Sequence, residues 1–128
     1  MFQPMYGFSG FSVKDLAETE RFYTKTLGLK AETGPSGLQI SLPGGASVFA
    51  YPKGEDHQPA TFTILNFKVK NVDEAVAELG RRGVTFERYE GMTDESGVAR
   101  GLAHDRGPDI AWFQDPSGNI LSVLQDEK

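Results

Sequence analysis

Two stretches of this chain are written alike. Val13-Lys14-Asp15-Leu16-Ala17-Glu18 and Val69-Lys70-Asn71-Val72-Asp73-Glu74 begin 56 residues apart in a sequence of 128. Each reads as the end of a strand running into a capped helix. Asp15 and Asn71 are good N-cap residues, because a short side-chain oxygen takes up a free backbone N–H of the first turn. Glu18 and Glu74 follow three places later, where a carboxylate favours the positive helix end and can reach back to the cap. A duplicated unit of this kind restricts the fold to two copies of one supersecondary pattern.

The chain in order supports two such copies. Tyr6–Val13 reads as a strand, and a helix from about Leu16 to Leu27 carries Leu16, Tyr23 and Leu27 on one apolar stripe. Gly28 closes it. Strands follow at Leu29–Thr33, at Leu38, Ile40 and Leu42 in alternation, and at Ser47–Tyr51 after the Pro43-Gly44-Gly45 turn. Residues 52–59 are polar and turn-rich and link the halves. Thr61–Val69 is the strongest strand signal. Val72, Ala75, Val76 and Leu79 then show the i, i+3, i+4, i+7 spacing of a buried helix face, closed at Gly83. Val84–Tyr89 reads as a strand, and 90–108 as a polar stretch with a partly ordered strand or lid near Val98–Leu102. Ile110–Phe113 and Ile120–Leu124 are strands joined by the turn sequence Asp115-Pro116-Ser117-Gly118-Asn119. Each half is β-α-β-β-β. The expectation is one α+β domain over 1–128, with unit one at about 1–52 and unit two at about 60–128.

Composition narrows the function. Lys+Arg 13 against Asp+Glu 18 gives a net charge of −5, which disfavours a nucleic-acid partner, since that needs a basic face. No apolar run approaches the ~20 residues of a membrane span, and Met1-Phe2-Gln3-Pro4 lacks the basic start and apolar stretch of a signal peptide. Zero cysteines leave no disulfide framework and fit a cytoplasmic location.

Period-two alternation places Tyr6, Phe8 and Gly10 on one face of the first strand, and Phe62, Ile64 and Asn66 on one face of the fifth. If the helices pack on the opposite faces, these residues line a cavity, and an aromatic lining with a few polar groups suits an apolar or planar small molecule. The alternative is that the aromatics fill the space themselves. Trp112, the only tryptophan, either stacks on a ligand or packs in a core or interface. His57 and His104 lie in polar segments, as solvated side chains or as acid–base groups. Glu87, Glu90, Asp94 and Glu95 form an acidic run, either a solvated loop or an attractor of cations. No Ser-His-Asp ordering, phosphate loop or Cys/His cluster appears.

Two βαβββ halves with strand–cap–helix openings and a closing Asp-Pro-Ser-Gly-Asn hairpin resemble the vicinal oxygen chelate superfamily, which includes glyoxalase I, bleomycin-resistance proteins, extradiol dioxygenases and fosfomycin-resistance enzymes. The resemblance rests on FSVKDLAETERFYTKTLGL at 11–29, FKVKNVDEAVAELGRRGV at 67–84 and AWFQDPSGNILSV at 111–123. It implies tandem units whose sheets curl into half-barrels around a cavity, and a homodimer. It also implies a divalent metal held by His, Gln or Glu from the first and last strand of each unit. Those positions fall here on Phe8, on Phe49 or Ala50, on Ile64 and on Ser122. A divalent metal needs several convergent O, N or S donors; this set supplies one hydroxyl. The usual metal-dependent chemistry is therefore not expected, and neither a metal nor a cofactor is assigned.

The reading that follows is a metal-independent binder of an apolar, planar or cationic small molecule, with Tyr6, Phe8, Phe49, Phe62, Ile64, Asn66, Trp112 and Ser122 as binding residues. The alternatives are a divergent lyase, isomerase or dioxygenase holding metal through His57, His104 or Glu87, and a protein acting through its dimer surface.

Overall fold

The computed structural model describes residues 1–128. The chain divides into two compact units, Met1–Gln58 and Pro59–Lys128. The fold is α+β, with two tandem βαβββ units, each built on its own open, four-stranded sheet.

In the first unit the strands are β1 (Ser9–Val13), β2 (Lys30–Thr33), β3 (Leu38–Ser41) and β4 (Ser47–Pro52), with helix α1 (Leu16–Arg21) after β1. Their spatial order is β1-β4-β3-β2, with β1 parallel to β4 and the other pairs antiparallel. Alternate residues Phe11, Val13, Leu38, Ile40, Val48 and Ala50 are buried, and so is Tyr23 from the helical segment. Each large apolar side chain removed from water in this way contributes about 1.5–3 kcal/mol. Thr19, also fully buried, satisfies its hydroxyl on the Asp15 carbonyl at 2.7 Å.

The second unit repeats the plan with β5 (Thr63–Lys68), α2 (Val72–Arg81), β6 (Val98–Ala99), β7 (Asp109–Gln114) and β8 (Ile120–Gln125), in the order β5-β8-β7-β6. Its core is Leu65, Val72, Phe86, Val98, Ala111, Phe113, Leu121 and Val123. Both expected caps form: Asp15 accepts from the Glu18 N–H at 3.0 Å and Asn71 from the Glu74 N–H at 2.9 Å. Gln125 of β8 adds a bond from the Val72 N–H at 2.9 Å, fastening the start of α2 to the sheet. The hairpin turn closes on Asp115, which is buried and accepts from the N–H groups of Ser117 and Asn119, each at 2.9 Å.

The structure corrects the sequence reading in several places, beginning with the first strand, which starts at Ser9 and leaves Tyr6 and Phe8 outside it. The first helix is not continuous α-helix to Leu27: after Arg21 a π-helical turn spans Phe22–Thr26, with the Leu27 N–H bonded to the Phe22 carbonyl. This wider turn accompanies a fully buried Tyr23, whose ring meets Phe11 at 6.0 Å and Phe22 at 5.3 Å. Val84–Tyr89 is not a strand. It makes a single antiparallel bridge, Phe86 to Phe113, and the edge pairing beyond that is taken by β6. Finally, β5 carries a bulge between Thr63 and Leu65. Ile64 is the extra residue, Thr63 stands opposite Ile120, and the alternation that groups Phe62 and Ile64 with Asn66 breaks there.

Candidate functional site

The sheet face away from each core holds the candidate residues, and the strand register says which of them meet. In the second unit, Asn66 of β5 pairs with Ser122 of β8, and Ser122 pairs in turn with Trp112 of β7. The row continues off the sheet edge, because the Glu87 N–H bonds to the Trp112 carbonyl at 2.8 Å. With Phe86 opposite Phe113, Glu87 lies opposite Trp112, and residues opposite one another in an antiparallel pair project to the same side. One cross-strand row therefore reads Asn66, Ser122, Trp112, Glu87.

The row is held by its own side chains. Ser122 is fully buried and its hydroxyl donates to Asn66 Oδ1 at 2.5 Å. Gln114, two residues beyond Trp112 and so on the same face, donates from Nε2 to Glu87 Oε1 at 2.5 Å. The Tyr89 ring meets the half-buried Trp112 at 5.5 Å and 73°, an edge-to-face contact. Tyr89 and Gln114 are not among the residues that the sequence singles out, and Glu87 stands there only in an acidic run and as an alternative metal ligand. The signal for Gln114 was its parity with Trp112; nothing in the sequence reveals the bridge that brings in Glu87 and Tyr89.

In the first unit the matching row is Gly10, Phe49, Gln39 and Glu32. Of Phe49 and Ala50, Ala50 is fully buried on the core face, while Phe49 pairs with Gly10 as Ser122 pairs with Asn66. Phe49 lies against Gly37, where a Cβ would come within 2.8 Å of the ring and 2.3 Å of the Ala50 carbonyl oxygen. Tyr6 and Phe8 precede β1, are 76% and 61% exposed, and stack against each other at 5.9 Å. Phe62 precedes β5 and is exposed, and Ile64 sits half-buried at the bulge, so neither joins the row.

The positions that the resemblance assigns to metal ligands hold Phe8, Phe49 or Ala50, Ile64 and Ser122. Three have no donor atom, and the fourth gives its hydroxyl proton to Asn66. These residues do not fit a divalent ion. Elsewhere, no group of three His, Cys, Asp or Glu side chains is placed to hold one. His57 bonds through Nδ1 to Ser12 Oγ at 2.8 Å, and His104 is exposed on a 3-10 turn.

The most charged cluster is a structural brace. Arg100 reaches Asp73 at the start of α2 at 2.6 Å, Asp94 at 2.9 Å and Asp109 of β7 at 3.7 Å. Burial works against the charge of Asp94. Hydrogen bonds from Ser96 Oγ, the Val98 N–H, Arg100 and the Ser96 N–H outweigh it and hold the carboxyl well below the ordinary aspartate range. The Arg100 hydrogen bond likewise lowers Asp73. Through these contacts Arg100 ties the segment around Asp94 to the start of α2 and to β7.

The Glyoxalase/Bleomycin resistance protein/Dioxygenase superfamily model matches residues 8–123. Curated protein sequences gave no match. Among solved structures, the chain is similar to TnmS3, an antibiotic binding protein from Streptomyces sp. CB03234, with a TM-score of 0.69 and 22% identity, covering 98% of this chain and 100% of that one. It is similar to a member of the same superfamily from Sphaerobacter thermophilus DSM 20745, with a TM-score of 0.66 and 22% identity over 95% and 98% of the two chains. The virulence protein STM3117 from Salmonella typhimurium gives a TM-score of 0.67 and 20% identity over 99% and 100%. At these identities the likeness is one of fold.

Proposed function

The chain belongs to the Glyoxalase/Bleomycin resistance protein/Dioxygenase superfamily, and on that premise we propose that it is a metal-independent binder of small molecules. What supports the reading is that the positions the resemblance assigns to metal ligands hold Phe8, Phe49, Ile64 and a hydroxyl that donates to Asn66. Apolar groups there would strip water from an ion without coordinating it, while the same groups favour a flat organic ligand. The likeness in fold to an antibiotic binding protein is compatible with this use of the scaffold.

In this reading Asn66, Ser122 and Trp112 form the polar and stacking part of the second unit's candidate face, with Phe62 and Ile64 as apolar side chains beside the row, and Tyr6, Phe8 and Phe49 are the apolar contributors of the first unit. The working form is a homodimer in the cytoplasm. Phe2, Met5, Tyr6 and Phe8 of the first unit are between 61% and 98% exposed in the single chain, apolar side chains that self-association would cover. No helix is long and apolar enough to cross a membrane.

Calorimetry on chelator-stripped protein tests the reading. Titration with Zn²⁺, Ni²⁺, Mn²⁺ and Fe²⁺ should release no binding heat at submillimolar metal. One tight site per chain would instead establish a metal protein and return lyase, isomerase or dioxygenase chemistry to the lead.

A further inference from the structure

We propose that Glu87 is the charge-recognising group of the Asn66–Ser122–Trp112 row, and that the ligand class is planar organic cations. By this we mean two or three fused rings bearing a protonated amine or amidinium. The inference rests on the reading of this face as a small-molecule site.

Glu87 is half-buried and carries a hydrogen bond from Gln114, but no Lys, Arg or His lies within ion-pair distance of it. Its sequence neighbour Arg88 donates to the Glu95 carbonyl, and Arg100 is taken up by Asp73, Asp94 and Asp109. Several acids of this unit do have a cation: Glu78 pairs with Arg81 and Arg82, Asp126 with Lys68, and Asp73 and Asp94 with Arg100, while the buried Asp115 accepts from the backbone N–H groups of Ser117 and Asn119. A partly desolvated carboxylate with no cation is relieved by a positive ligand.

What stands beside that carboxylate is specific. Trp112 lies directly opposite it and offers the side chain best suited to stack on a ring or to meet a cation. At the far end, Asn66 uses Oδ1 for the Ser122 hydroxyl, so its amide N–H groups remain as donors toward a ligand oxygen. Three strand-to-strand steps separate Glu87 from Asn66, about 14 Å at the usual ~4.8 Å spacing. A flat tricyclic cation spans most of that row, with its charge at Glu87 and its body over Trp112.

The test uses two matched probes near neutral pH: proflavine, a planar tricyclic cation, and acridine, its uncharged parent. Trp112 is the only tryptophan and reports binding by quenching. Wild-type protein should bind proflavine at least about tenfold more tightly than acridine, as expected for one well-placed opposite charge. Glu87→Gln keeps an acceptor for Gln114. It should erase most of that preference and leave acridine unchanged, whereas Glu90→Gln, which removes a charge outside the row, should leave the preference intact. Equal affinity for the two probes in wild-type protein overturns the proposal. So does an equal loss for both probes in Glu87→Gln, or a Glu90→Gln effect as large as that of Glu87→Gln. Failure of both probes to bind at all overturns the small-molecule reading itself, and this inference with it.

Discussion

The hydroxyl of Ser122 donates to Asn66 Oδ1 at 2.5 Å across the parallel pairing of β8 with β5. Ser122 is fully buried and Asn66 is exposed, so the bond joins the sheet interior to the candidate ligand surface. In Ser122→Ala the amide oxygen can still reach water, and the loss should be that of one net hydrogen bond, about 1 kcal/mol. The midpoint of urea unfolding measures it. A planar ligand should also bind more weakly, because Asn66 is no longer held in one rotamer.

Gly37 gives Phe49 its place. A methyl group there would meet the Ala50 carbonyl oxygen at 2.3 Å and the Phe49 ring at 2.8 Å, and backbone cannot yield as a flexible side chain does. Gly37→Ala should destabilise the protein by about 2–3 kcal/mol, seen as a lower thermal midpoint. A loss below ~0.5 kcal/mol would mean that this loop repacks freely.

Acid should loosen the second unit through its aspartates. Hydrogen bonding to Arg100 lowers Asp73, and hydrogen bonds from Ser96, Val98 and Arg100 lower Asp94 against the cost of burial. A carboxyl with a depressed folded-state pKa adds stability above its unfolded value, near 3.8 for aspartate, and loses it as pH falls toward the folded value. Urea midpoints should therefore fall between about pH 6 and about pH 3, and fall less in Arg100→Ala. At the higher pH that variant should lose only about 1 kcal/mol, because these side chains are roughly a third to three-fifths exposed and screened by water.

Much of this fold is legible in the residues. The paired caps, the α2 stripe Val72, Ala75, Val76 and Leu79, and the Asp115–Asn119 turn are local signals, and each element forms where its residues call for it. What escapes is set by partners distant in sequence. Val84–Tyr89 has strand propensity yet makes one bridge, because β6 takes the edge beyond it. The bulge at Ile64 is a mismatch with β8 and has no mark in the local sequence. The site follows the same division. Parity alone places Asn66 on a face of β5 and Trp112 on a face of β7, but their meeting through Ser122 is a matter of register. Glu87 and Tyr89 enter through a bridge that no periodicity announces.

Binding without metal is tested most directly by titrating proflavine into the protein in excess chelator while following the fluorescence of Trp112. Saturable quenching, unchanged when Zn²⁺ or Mn²⁺ later exceeds the chelator, is the predicted result. Quenching that is absent with chelator and appears only when the divalent ion is supplied would contradict the account.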